Sequence, residues 1–111
     1  MKNIIFIALI LFSAFAYSKQ CSLTGKITQM HQYTDGTIFI NVDASSNCDC
    51  AHKSRMAFHR NENQSFYVSA ALTALTAKKT VTLTGEDRNT SGACPIHNNT
   101  PLLTAFYINA D

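Results

Sequence analysis

The apolar and polar positions of this chain alternate in short runs, the pattern of strands rather than of helices. In "TIFINVD", Ile38, Ile40 and Val42 fall on one face and Phe39, Asn41 and Asp43 on the other, the period of two of a half-buried strand. Upstream, "SLTGKITQMHQYT" carries Leu23, Ile27 and Met30 among polar residues and predicts a long strand, bent or bulged at Gly25. Asp35-Gly36 between the two runs is a hairpin signal. Residues 44–54, "ASSNCDCAHKS", are rich in turn formers and predict a loop, and "RMAFHR" resumes as a third strand.

The period then changes. "NENQSFYVSAALTALTAKK" predicts a helix with Asn63 or Ser65 as N-cap, a stripe of Val68, Ala71, Leu72 and Leu75, and two lysines where the helix dipole favours cations. "TVTLTGE" returns to alternation with Val81 and Leu83 among threonines. "DRNTSGACPIHNNTP" predicts a loop, and "LLTAFYIN" closes with Leu102, Phe106 and Ile108 assigned to one face. Three strands, a helix and two strands predict an all-β domain with one helix: a five-stranded, OB-fold-like Greek-key barrel with the helix between strands three and four. A ferredoxin-like or sandwich variant is the competing arrangement.

Length and composition bring in the compartment. Met1-Lys2-Asn3 followed by "IIFIALILFSAFA" has the basic start and short apolar run of a signal peptide, with small residues at Ala14, Ala16 and Ser18 for cleavage. Residues 1–18 are therefore expected to be a signal peptide and residues 19–111 a single domain, secreted or periplasmic, with no membrane span. A domain of about 93 residues buries a limited core. Its four cysteines, Cys21, Cys48, Cys50 and Cys94, are expected to form two disulfides. Cys48 and Cys50 are poorly placed to bond each other, which leaves Cys21–Cys48 with Cys50–Cys94, or Cys21–Cys50 with Cys48–Cys94.

Without Lys2 the nine Lys and Arg become eight, against seven Asp and Glu, and the cations are scattered. Nucleic acid, which needs a concentrated basic surface, is not an expected partner. His31, His52, His59 and His97 have no nucleophile, base and orienting group at catalytic spacing, so no enzymatic activity is expected and they read as surface or strand histidines. "CDCAH" and "CPIH" contain soft metal ligands, but paired cysteines in an exported chain read first as disulfides, so neither metal nor cofactor is expected.

Two stretches resemble a known family. "TGKITQMH" resembles the first strand of the B subunit of subtilase cytotoxin and related pertussis-like toxin B subunits. "CPIHNNTPLLTAFYINAD" is similar to the tail of the cholera and heat-labile enterotoxin B subunits, with a cysteine seven residues before a Thr-Pro proline and an asparagine pair between. The resemblance implies an OB-fold subunit that assembles as a homopentamer, binds a cell-surface glycan and carries a toxin A subunit. In the subtilase-like subunits the serine before the first-strand glycine helps bind sialic acid, and Thr24 stands there. In the cholera-like subunits a tryptophan, an asparagine and a lysine bind galactose, and they match Ile96, Asn98 and Asn99. The chain has no tryptophan, so the stacking platform of that loop is absent. The cholera-like pattern would also join the first cysteine to the tail cysteine and require a Cys48–Cys50 bridge.

Glycan recognition needs a few fixed polar groups beside an aromatic face. The candidates are Thr24, Tyr33, Asp43, His97, Asn98 and Asn99, the last three presented by a loop that Cys94 staples. The expected function is a non-enzymatic glycan-binding subunit whose ring would use open strand edges and the helix face. The alternative is a monomeric exported OB-fold protein that binds another protein, as an inhibitor or envelope factor, and has no sugar site.

Overall fold

A computed structural model describes residues 20–60, 65–89 and 91–110. The signal-peptide expectation and the Asn63 cap lie outside the described residues. The elements are β1 (Gln20–Gln32), β2 (Thr37–Val42), β3 (Arg55–His59), α1 (Ser65–Ala77), β4 (Thr80–Glu86) and β5 (Leu102–Ile108). The strands close into a barrel in the order β1-β2-β3-β5-β4, with α1 between β3 and β4 as the sequence predicts. All pairings are antiparallel except β3 with β5.

β1 closes the ring because it is long enough to serve two partners. From Gln20 to Lys26 it pairs with β4, and from Ile27 to Gln32 with β2. The irregularity of β1 falls between Ile27 and Gln29, not at Gly25. Gly25 marks a close approach instead: a Cβ there would lie 2.5 Å from Asp43 Oδ1. Asp35-Gly36 makes the expected turn, with the Gly36 amide donating to the Tyr33 carbonyl at 3.0 Å and Gly36 at φ 89.

Leu23, Ile27, Ile38, Ile40, Val42, Met56, Phe58, Val81, Leu83, Leu103 and Phe106 fill the barrel, and α1 packs Ala70, Ala71 and Ala74 onto them. Two expected core positions differ. Leu72 is 51% exposed, because the stripe that meets the barrel is the alanine row and its flanks Tyr67, Val68 and Leu75. In β5 the register shift opposite Thr84 and Gly85 inserts Thr104, so Leu103 and Phe106 both point inward, while Ile108, in phase with Phe106, is exposed as the last residue of the strand. α1 ends with Lys78 at φ 55 and the Lys79 amide donating to the Ala74 carbonyl at 3.0 Å, the left-handed stop of a Schellman motif.

The ring also changes the expectation of open strand edges. β3 and β5 meet at one pair, Ala57 with Leu102, so the rest of both strands has no strand partner on that side, and on β5 Tyr67 Oη donates to the Thr104 carbonyl at 2.8 Å. The disulfides are Cys21–Cys48 and Cys50–Cys94, the first of the two connectivities that spacing left open. The cholera-like pairing is not formed. No helix among the described residues is long and apolar enough to cross a membrane.

Candidate functional site

The outer face of β1, β2 and β3 carries the densest chemistry. On β2 the residues that alternate with the core, Phe39 and Asn41, point out of the barrel, yet Phe39 is 0% exposed. It is covered because the loop between β4 and β5, described at residues 87–89 and 91–101, folds back and sets Ile96 on Phe39 and Ala57 as a second small core.

That loop is fixed by several independent ties. Cys94 bonds Cys50 of the loop between β2 and β3. The buried Asp87 accepts the Asp49 amide at 2.7 Å, Arg88 pairs with the Asp49 carboxylate, and the His52 amide donates to the Asn99 carbonyl at 3.0 Å. Within the loop, Asn89 Oδ1 accepts the amides of Ser91 and Ala93 at 2.9 and 3.1 Å.

The tip is a tight turn. The Asn99 amide donates to the Ile96 carbonyl at 3.1 Å, with His97 at φ 51 and Asn98 at φ 60 between them. Two successive positive φ values define a type I′ turn, a conformation that asparagine and histidine tolerate better than most residues. The turn exposes both side chains, and His97 reaches the loop between β1 and β2.

There the aromatic rings converge. Tyr33 lies 5.7 Å from His97 and 4.9 Å from Phe39 between ring centroids, and His31 stacks on Phe39 at 5.0 Å. His97 Nε2 sits 3.4 Å from Asp35 Oδ2. Arg55, on the first residue of β3, lies over the Phe39 ring with its guanidinium carbon 4.3 Å from the centroid. Asn99 Oδ1 accepts Arg55 Nη2 at 3.3 Å and the Thr100 hydroxyl at 2.7 Å. Phe39 is thus a buried floor, with Tyr33 and His97 as exposed rings above it and Asp35, Asn98 and Asn99 as polar groups at the rim.

Asp35 has its carboxyl held below the usual carboxylate range, chiefly because the Thr37 amide donates to Oδ1 at 2.9 Å, with a smaller pull from His97. A depressed carboxylate contributes stability above its unfolded pKa and loses it as pH falls through the folded value. The turn of residues 33–36 is therefore expected to loosen only below the ordinary carboxylate range. Amide shifts of Gly36 and Thr37 followed through an acid titration check this; a transition near the histidine range would contradict it.

The other candidates lie elsewhere. Thr24 is nine residues before Tyr33 on β1, roughly 30 Å along an extended strand. It faces β4, its hydroxyl 3.2 Å from Thr82 Oγ1, which also accepts Asn109 Nδ2 at 3.3 Å, and the exposed Tyr107 is the β5 partner of Thr82. Asp43 Oδ1 accepts the Lys26 amide at 2.8 Å and fills the space that Gly25 leaves, so it fastens the end of β2 to β1. Thr24 and Asp43 therefore do not join Tyr33, His97, Asn98 and Asn99.

Three members of the face escape sequence reasoning: Asp35, which reads as a turn residue, Phe39, which reads as half-exposed, and Arg55, which reads as a strand end. The signal available for Phe39 and Arg55 is that both stand outward on neighbouring strands. No cluster of three or more His, Cys, Asp or Glu placed to hold a metal ion occurs among the described residues, and all four cysteines are in disulfides.

Compared with protein-family models, with curated proteins and with solved structures, the chain has no match in any of the three.

Proposed function

We propose that this protein is an exported, non-enzymatic glycan-binding subunit that uses the outer face of β1 to β3, walled by residues 33–36 and 87–101. The observation that carries the reading is the meeting of Tyr33 and His97 from two different loops, 5.7 Å apart over a buried Phe39, with Asp35, Asn98 and Asn99 at their rim. Exposed ring faces beside fixed hydrogen-bonding groups suit the alternating apolar and hydroxyl surfaces of a sugar. In OB-folds the face of strands two and three, with the loops after strands one and four, is a common oligosaccharide surface. Two disulfides in so small a domain, and the basic and apolar N-terminal sequence, favour export.

The resemblance to toxin B subunits supports a ring of five with a toxin A chain as partner. Phe66 and Leu72 on α1 and Tyr107 and Ile108 on β5 are exposed apolar side chains that such a ring would cover. The native mass of the mature protein tests the assembly: five copies are expected, and a monomer would move the weight to the alternative, an exported OB-fold protein that binds another protein.

The turn offers a clean test of the site. Asn98→Gly keeps a positive φ at no steric cost and removes the amide, so thermal stability is expected to hold or rise slightly while glycan binding falls. Unchanged binding on a glycan array would remove Asn98 from the site.

A further inference from the structure

Beside the aromatic floor the same face opens into a groove of about 460 Å³ lined by Thr28, Asn41, His52, Lys53, Ser54 and Arg55 among others. The lining contains three basic side chains and no carboxylate. Lys53 is exposed, and its Nζ is drawn to the Cys48 carbonyl, to which it donates at 2.7 Å. Arg55 is different. Its Nε donates to Thr100 Oγ1 at 3.0 Å and its Nη2 to Asn99 Oδ1 at 3.3 Å, and its guanidinium carbon lies over the Phe39 ring, so the half-buried guanidinium is held from two sides.

A guanidinium has five N–H donors, and these two contacts use two of them. No carboxylate among the described residues pairs with it: the ion pairs there are Arg88 with Asp49 and His97 with Asp35. Burial lowers the pKa of Arg55, but an arginine keeps its charge at physiological pH. A half-buried cation fixed by two neutral acceptors has its fork directed at an anion that this chain does not supply.

The groove also holds an acceptor. Asn41 Nδ2 donates to Gln29 Oε1 at 3.0 Å, while its Oδ1 is buried without a partner. A bare anion would be repelled by that oxygen, whereas a sugar hydroxyl would donate to it, and the Thr28 hydroxyl lies in the same lining.

Building on the glycan reading, we infer that Arg55 is a specificity residue that binds the carboxylate of an acidic saccharide in this groove, with Asn41 Oδ1 accepting a neighbouring hydroxyl. The neutral part of the saccharide continues onto Tyr33 and His97. Arg55 confers preference among glycans, and the aromatic rings confer affinity for sugar as such.

The test is a titration of the isotope-labelled mature protein, followed by amide and arginine side-chain shifts, with methyl glucuronide and methyl glucoside, which differ in the carboxylate, and with acetate. Expected is a glucuronide affinity roughly tenfold above that of the glucoside at low salt, with shifts at Arg55 and Asn41. Arg55→Gln should abolish the difference between the two sugars, whatever it costs both of them through Asn99, and Arg55→Lys, which keeps charge without the fork, should restore part of it. Thermal melts of both variants show whether the barrel is intact.

Equal affinities for the two sugars would overturn the role of Arg55 and leave the glycan reading standing. Acetate matching the glucuronide while the glucoside shifts nothing would overturn the saccharide half of the inference. No shift from any of the three would overturn both.

Discussion

The double variant Cys50→Ala/Cys94→Ala is expected to lose about 4 kcal/mol of unfolding stability, on the chain-entropy estimate for a bridge across 44 residues. A domain of this size holds roughly 5–15 kcal/mol in all, so one bridge is a large share. The loss has a local side as well. Cys50–Cys94 joins the loop between β2 and β3 to the loop that carries His97, Asn98 and Asn99, and without it that loop depends on the Asp49, Asp87 and Arg88 contacts and the His52–Asn99 hydrogen bond. Denaturant unfolding under oxidising conditions measures the first effect, and glycan binding by the still-folded fraction measures the second.

Cys21–Cys48, across 27 residues, serves as the control. Its removal should cost about 3.5 kcal/mol on the same estimate but leave binding by the folded protein intact, because it fastens that loop to the start of β1 and not to the segment that carries His97, Asn98 and Asn99. Equal effects on binding from the two bridges would contradict the claim that Cys94 rigidifies the site.

Phe39→Ala is the second large effect, at about 3–5 kcal/mol, the usual cost of emptying the site of a fully buried phenylalanine. Phe39 is unusual in being buried on the outside of the barrel, where Ile96 covers it and His31, Tyr33, His97 and Arg55 pack around its ring. Phe39→Leu keeps most of the volume and should cost about 1.5 kcal/mol or less. It should still impair binding, since a flat floor for the rings and the guanidinium is lost. A Phe39→Ala protein with wild-type stability would mean that residues 87–101 do not close over β2 as described.

The fold is legible in the sequence wherever one local rule suffices. "TIFINVD" alternates cleanly because β2 is lined by core on one side, and Asp35-Gly36 makes its turn because glycine supplies the positive φ. Legibility ends where a distant segment changes the environment. Phe39 alternates to the outward side, and only the return of residues 87–101 buries it, a contact no local pattern encodes. Thr104 shifts the phase of β5 by one residue, which brings Leu103 inward in place of Leu102, and Ile108, in phase with Phe106, is exposed as the last residue of the strand. On α1 the small Ala70, Ala71 and Ala74 allow close approach to the barrel, so the larger Leu72 falls outside.

The same reasoning applies to the site. Tyr33 reads at the end of the first strand and His97, Asn98 and Asn99 in a loop, all as candidates for glycan contact; β1 ends at Gln32, and the barrel brings Tyr33 and the other loop together. Thr24 and Asp43 share that chemistry, but β1 is long and serves two partners, so its start belongs to the β4 side. Arg55 could not be recognised from "RMAFHR", because its significance lies in Asn99, Thr100 and Phe39, which are all remote in sequence.

The most direct measurement is a glycan-array screen of the mature protein beside Tyr33→Ala and Thr24→Ala, two substitutions of exposed residues, one just after β1 and one on the part of β1 that pairs with β4. The account predicts a defined set of glycan ligands for the wild type, loss of that set in Tyr33→Ala and retention in Thr24→Ala. Loss in Thr24→Ala with retention in Tyr33→Ala would move the site to the β1 and β4 face, and no glycan bound by the wild type would contradict the proposed function itself.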